Sequence, residues 1–76
     1  MPSPRNPSLR RFGDALRVER KQRGISQEQL ALVAEINRTY MGGVERGEEN
    51  ISLLTLIKIS TVLKVKPSEI LGKAGL

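Results

Sequence analysis

Ser26 and Asn37 both have the chemistry of helix caps. They stand eleven positions apart, and each is followed at once by side chains able to hydrogen-bond an anion or a base edge. Gln27 carries an amide that can donate to a phosphate, beside the free N–H groups of a helix start. Arg38 and Thr39 follow Asn37. An arginine fork matches O6 and N7 of guanine; a threonine offers its methyl to thymine or its hydroxyl to a phosphate. The rival use of Arg38 is a surface pair with Glu35. Arg46, at the far end of the same segment, suits a helix C-terminus by its charge and can also reach a phosphate. Asn50 beyond it either bonds phosphate or caps a loop. This chemistry is that of polyanion recognition. Catalysis finds less support: the chain has no histidine and no cysteine, so it lacks the commonest general base, any disulfide and any thiolate metal site. Carboxylates, Lys and Ser remain, and no spacing favours them. No enzyme activity, cofactor, metal or small-molecule ligand is expected.

The elements that must position these side chains are legible as helices. Ser8 can cap a first helix over residues 9–23, with Leu9, Phe12, Ala15 and Leu16 on one face and Gly24 as its stop. Ser26 and Gln29 form a capping box for a second helix ending near Ala34. Glu35 and Ile36 make the turn, Asn37 caps a third helix over 38–46, and Gly47 ends it. Ser52 caps a fourth helix to residue 63. Its β-branched run would also suit a strand, but length and the i, i+3, i+4 apolar pattern favour helix. Pro67 opens a fifth helix over 67–71, which Gly72 ends. Three of the four prolines fall within residues 1–7, which read as a flexible arm. The domain then runs over 8–72 with a short tail at 73–76. Five short helices with tight connections give an all-α class. Two helices separated by about three residues, over 26–46, have the spacing of a helix-turn-helix, whose second helix enters the major groove.

The chain has 76 residues and a net charge of +5. Residues 1–23 hold seven basic residues against Asp14 and Glu19; residues 24–76 hold six of each sign and are neutral. A basic end of this kind points to a polyanion partner or to a solvated face. Arg5, Arg10, Arg11 and Arg17 are candidates for non-specific phosphate contact. MPSPRNPSL has no apolar leader and no run approaches the ~20 residues of a membrane span. A cytoplasmic protein is expected. Gly42-Gly43 costs a short helix roughly 1 kcal/mol per glycine relative to Ala, so close approach to DNA or to the second helix must compensate.

The stretch from residue 24 to 65 resembles the Cro/CI-type, or xenobiotic-response-element, helix-turn-helix family. Gly24-Ile25-Ser26-Gln27-Glu28, Leu30-Ala31, Arg38-Thr39-Tyr40, Val44-Glu45-Arg46-Gly47, Asn50 and Ser52-Leu53 match its pattern in order and spacing. Within it the segment from Asn37 to Asn50 is most similar to controller proteins of restriction–modification systems. The resemblance implies a compact five-helix domain of the lambda-repressor type. It also implies a homodimer on a pseudo-palindromic operator in double-stranded DNA, acting as a repressor or activator of transcription. The same resemblance implies a bacterial or phage protein associated with the nucleoid. Gln27 becomes a backbone-contacting residue, Arg38 and Thr39 base readers. Tyr40 either reaches a phosphate, as relatives suggest, or packs its ring. Gly42 stands where controller proteins often carry a base-reading serine. Glu48 and Glu49 depart from a loop that is often basic in relatives. Arg20 and Glu45 are implied to form a partly buried structural ion pair. The dimer is implied to form through the C-terminal part, where Leu54, Ile57, Ile59, Val65 and Ile70 divide between core and partner. An antitoxin-type module that neutralises a partner protein shares most of this motif and is the alternative.

Overall fold

Each helix begins where a side chain or a proline relieves the unpaired donors of its first turn. The computed structural model describes residues 6–76. Among them α1 spans Pro7–Gln22, α2 Gln27–Val33, α3 Arg38–Glu45, α4 Leu53–Leu63 and α5 Pro67–Lys73, with no strand. α1 starts earlier than the Ser8 cap predicts. Asn6 is the cap, its side-chain oxygen accepting from the Ser8 N–H at 2.8 Å. Pro7 fits the first helical position because its missing N–H would be unpaired there anyway. Pro7 therefore belongs to the helix and not to the arm; residues 1–5, including Arg5, lie outside the described residues.

α2 carries the expected box: Ser26 Oγ accepts from Gln29 N at 3.0 Å and Gln29 Oε1 from Ser26 N at 2.9 Å. Asn37 Oδ1 accepts from Tyr40 N at 3.1 Å to open α3, and Ser52 Oγ from Thr55 N at 3.1 Å to open α4. The β-branched residues of α4 are held in a helix by its buried stripe of Leu56, Ile59, Ser60 and Leu63. The buried Ser60 hydroxyl donates to the Leu56 carbonyl at 2.7 Å. α5 runs past Gly72, which lies inside it and does not end it; the left-handed glycine beyond the helix is Gly75, at φ +77°.

The turn between α2 and α3 places Glu35 at φ +57°, with Ile36 N bonded to Ala31 O at 2.8 Å. An L residue in the left-handed region costs on the order of 1 kcal/mol. Glu35→Gly should therefore raise folding stability by about 0.5–1 kcal/mol, seen as a higher urea midpoint at unchanged slope; a lower midpoint would show that the Glu35 side chain contributes more than its backbone costs.

Leu16, Leu30, Met41, Ile59, Leu63 and Ile70 are fully buried and form the centre of the core. α1 packs on α3 and α5, α2 on α3 and α4, and α4 on α5. α1 meets the end of α3 at backbone distance. A Cβ on Gly13 would stand 2.5 Å from the Glu45 carbonyl oxygen and 2.6 Å from that of Val44. One on Gly47 would stand 2.7 Å from Arg10 Cα. α1 and α5 are tied by charge. Glu19, 1% exposed, is hydrogen-bonded by Lys73 Nζ and, at 2.5 Å, by Arg23 Nη1. The Lys73 ammonium, seconded by Arg23, holds the Glu19 carboxyl below the usual carboxylate range although burial pushes it up. Arg23 Nε also donates to Leu63 O at 2.6 Å, covering the end of α4.

Candidate nucleic-acid interface

The N-terminus of α2 and the outward face of α3 border an open cleft of about 290 Å³, lined by Gln27, Arg38, Thr39, Gly42 and Arg46. Five of the residues expected to meet DNA are thus brought together. Arg38 and Thr39 are exposed at the first turn of α3, where their side chains have the freedom to reach a base edge. Among the described residues Arg38 forms no ion pair with Glu35.

Beneath this cleft lies Glu45, 3% exposed, at the last turn of α3. Arg20 of α1 grips it side-on, Nε to Oε2 at 2.7 Å and Nη2 to Oε1 at 3.0 Å. The third arm of the same guanidinium, Nη1, donates to Ile25 O at 3.0 Å in the loop before α2. The Glu45 carboxylate in turn holds the Arg20 charge more firmly than usual. Gln27 Nε2 donates to Glu45 Oε1 at 3.2 Å. One carboxylate therefore fixes α1, the start of α2 and the end of α3 to one another. It also orients Gln27, whose amide nitrogen carries a second proton that this bond does not use.

The other sequence-derived candidates fall elsewhere. Tyr40 is half-buried, its ring packed against the core. Asn50 is exposed on the loop before α4, away from the cleft lining. Arg17 lies against the end of α3: Nη2 donates to the Glu45 carbonyl at 3.2 Å and stands 3.4 Å from Asp14. It serves there as a cation at a helix C-terminus. Arg46, which does line the cleft, is exposed and paired through Nε with Glu48 at 3.1 Å. Glu49 folds over Gly43, whose added Cβ would stand 2.7 Å from Glu49 Cγ. Of the five residues assigned between core and partner, Ile59 and Ile70 are fully buried and unavailable to a second chain, and Val65 is half-buried against the core. Leu54 and Ile57 are 72% and 43% exposed, with Leu53 beside them, which sequence reasoning missed. Gly13, Glu19 and Arg23 were missed too. Glu19 had a signal: it falls seven residues after Phe12 and three after Leu16, on the apolar face of α1, where a carboxylate requires a partner.

A helix-turn-helix family model matches residues 16–70. The chain is 41% identical over 65 residues to the control protein C.SmaI of Serratia marcescens, covering 86% of this chain and 77% of that one. It is 39% identical over 61 residues to the control protein C.BamHI of Bacillus amyloliquefaciens, covering 79% and 75%. The crystal structure of the restriction–modification controller protein C.AhdI from Aeromonas hydrophila matches with a TM-score of 0.80 at 45% identity, covering 82% of this chain and 94% of that one. The chain belongs to the helix-turn-helix family of transcription regulators and groups there with the restriction–modification control proteins.

Proposed function

We propose that this protein is a homodimeric transcription regulator that reads a pseudo-palindromic operator and controls a restriction–modification system. The observation that carries this reading is the cleft that gathers Gln27, Arg38, Thr39, Gly42 and Arg46 on one face of the α2–α3 unit, in a chain so similar to control proteins. α3 lies in the major groove with Arg38 and Thr39 at base edges. Gln27, pre-aimed by Glu45, bonds the backbone at the groove's rim together with the helix-start N–H groups of α2. Arg17 and Asn50, both outside the cleft lining, are candidates for further phosphate contact, and the Tyr40 phenol is the weakest of these. The exposed apolar residues Leu53, Leu54 and Ile57 of α4 support pairing with a second copy through the C-terminal half. Two recognition helices would then stand about 34 Å apart. The reading assigns no catalytic step, and it places the protein on DNA in the cytoplasm; no described helix is long and apolar enough to cross a membrane.

Selection of bound sequences from random duplex DNA tests it, and an inverted repeat is the expected product. Arg38→Ala should then lose about 1–3 kcal/mol of discrimination between the selected site and random DNA while random-sequence affinity persists. An unchanged ratio would remove Arg38 from base reading, and recovery of no motif would remove the regulator reading itself.

A further inference from the structure

Arg38, Gly42 and Arg46 succeed one another at intervals of four residues and so share one stripe of α3 and its C-cap. Helical side chains slope toward the N-terminus. Arg46 accordingly lies back over Gly42: a Cβ there would meet Arg46 Nη1 at 3.0 Å and Cζ at 3.8 Å. Its guanidinium fills the space that a side chain at position 42 would use, on the cleft it shares with Arg38 and Thr39. Glu48 accepts from Nε at 3.1 Å, which fixes the plane of the group and leaves Nη1 and Nη2 as its outer edge.

We propose that Arg46 is a second base-reading arginine, oriented by Glu48 and admitted by the missing side chain at Gly42. The proposal rests on the reading of α3 as the recognition helix. Charge decides between base and backbone. An arginine held by Glu48 against a phosphate would bring a carboxylate beside the most negative part of DNA. In the groove the same pair meets the neutral edge of guanine, whose O6 and N7 accept the two terminal amino groups. Eight residues separate Arg38 from Arg46, about 12 Å along the helix, or three to four base steps of about 3.4 Å. Two contacts at that separation in each half-site follow.

The test selects bound sequences from random duplex DNA with the wild-type protein, Arg46→Lys, Arg46→Ala and Glu48→Ala. It also measures affinity for the selected and for a random-sequence duplex across a salt series. Lysine keeps the point charge and loses the fork. Arg46→Lys should keep random-duplex affinity within about twofold, keep the salt slope, and lose guanine preference at one position per half-site by about 5- to 100-fold. That position should lie three or four steps from the one relaxed in Arg38→Ala. Glu48→Ala should blur the same position with Arg46 intact, a result that mere loss of packing would not give. If Arg46→Lys selects the wild-type motif and Arg46→Ala weakens all sequences alike with a salt slope lower by about one, Arg46 is a phosphate clamp and the proposal falls, while α3 keeps its role. If the wild-type protein itself selects no motif, both readings fall.

Discussion

Arg20→Ala is expected to lose about 3–5 kcal/mol of folding stability, because it leaves the Glu45 carboxylate buried without its fork. Domains of this length are stable by roughly 4–11 kcal/mol, so the variant should be largely unfolded or melt near room temperature. The Gln27 amide and the more distant Arg17 are the only partners left near that carboxylate among the described residues, and neither replaces a two-pronged guanidinium. Urea denaturation followed by circular dichroism measures the loss, and a cost below 1 kcal/mol would show that water reaches Glu45. Pairing the change with Glu45→Leu removes the stranded charge and should recover much of the stability. The recovered fold should still bind operator poorly, since Gln27 then has nothing to aim it. Restored stability with restored operator affinity would refute the positioning role of Glu45.

Gly13→Ala is expected to cost about 2–3 kcal/mol, at the upper end of what overpacking costs, although alanine is the better helix former by about 1 kcal/mol. The contact opposing the new methyl is backbone, the Glu45 and Val44 carbonyls, and cannot rotate away. The melting temperature should fall by roughly 10–20 °C for a domain of this size. Gly72→Ala is the control, for nothing lies within 4 Å of its added Cβ. It should be neutral or stabilising by up to about 1 kcal/mol, through helix propensity alone. Equal effects at the two positions would exclude close α1–α3 seating.

The contrast between those glycines shows which layer of the fold is written locally. Caps at Ser26, Asn37 and Ser52 and the stop at Gly47 depend on a side chain and the backbone within a few residues of it, and the sequence places them correctly. Gly13 has no local signature, because its reason lies 31 residues away in the carbonyl of Val44. Glu35 and Lys64 adopt the left-handed turn that a glycine would announce, so the geometry of their turns is hidden in residue type. The cleft itself was legible as a set of side chains, since its members come from two adjacent helices of known period. The roles of Arg46 and Arg17 were not. Each guanidinium is met by a group that no local pattern announces, the Glu48 carboxylate in one case and the Glu45 carbonyl in the other. The division of α4 and α5 between core and surface was equally hidden, because Ile57 and Ile59 are the same residue type and differ only in which side of the helix they occupy.

The lattice of bonds around Glu45 also sets the thermodynamic character of binding. It clamps the start of α2, the end of α3 and the body of α1 before any DNA arrives, so the reading surface does not fold on contact. Association then carries little of the ordering entropy that a segment folding on its target must lose. The heat-capacity change should scale with apolar area covered at the interface alone, without the excess that coupled folding adds. A rigid head of this kind accommodates a wrong sequence badly, and the mismatch is met by bending or retwisting the duplex, whose stiffness depends on base steps the protein never touches.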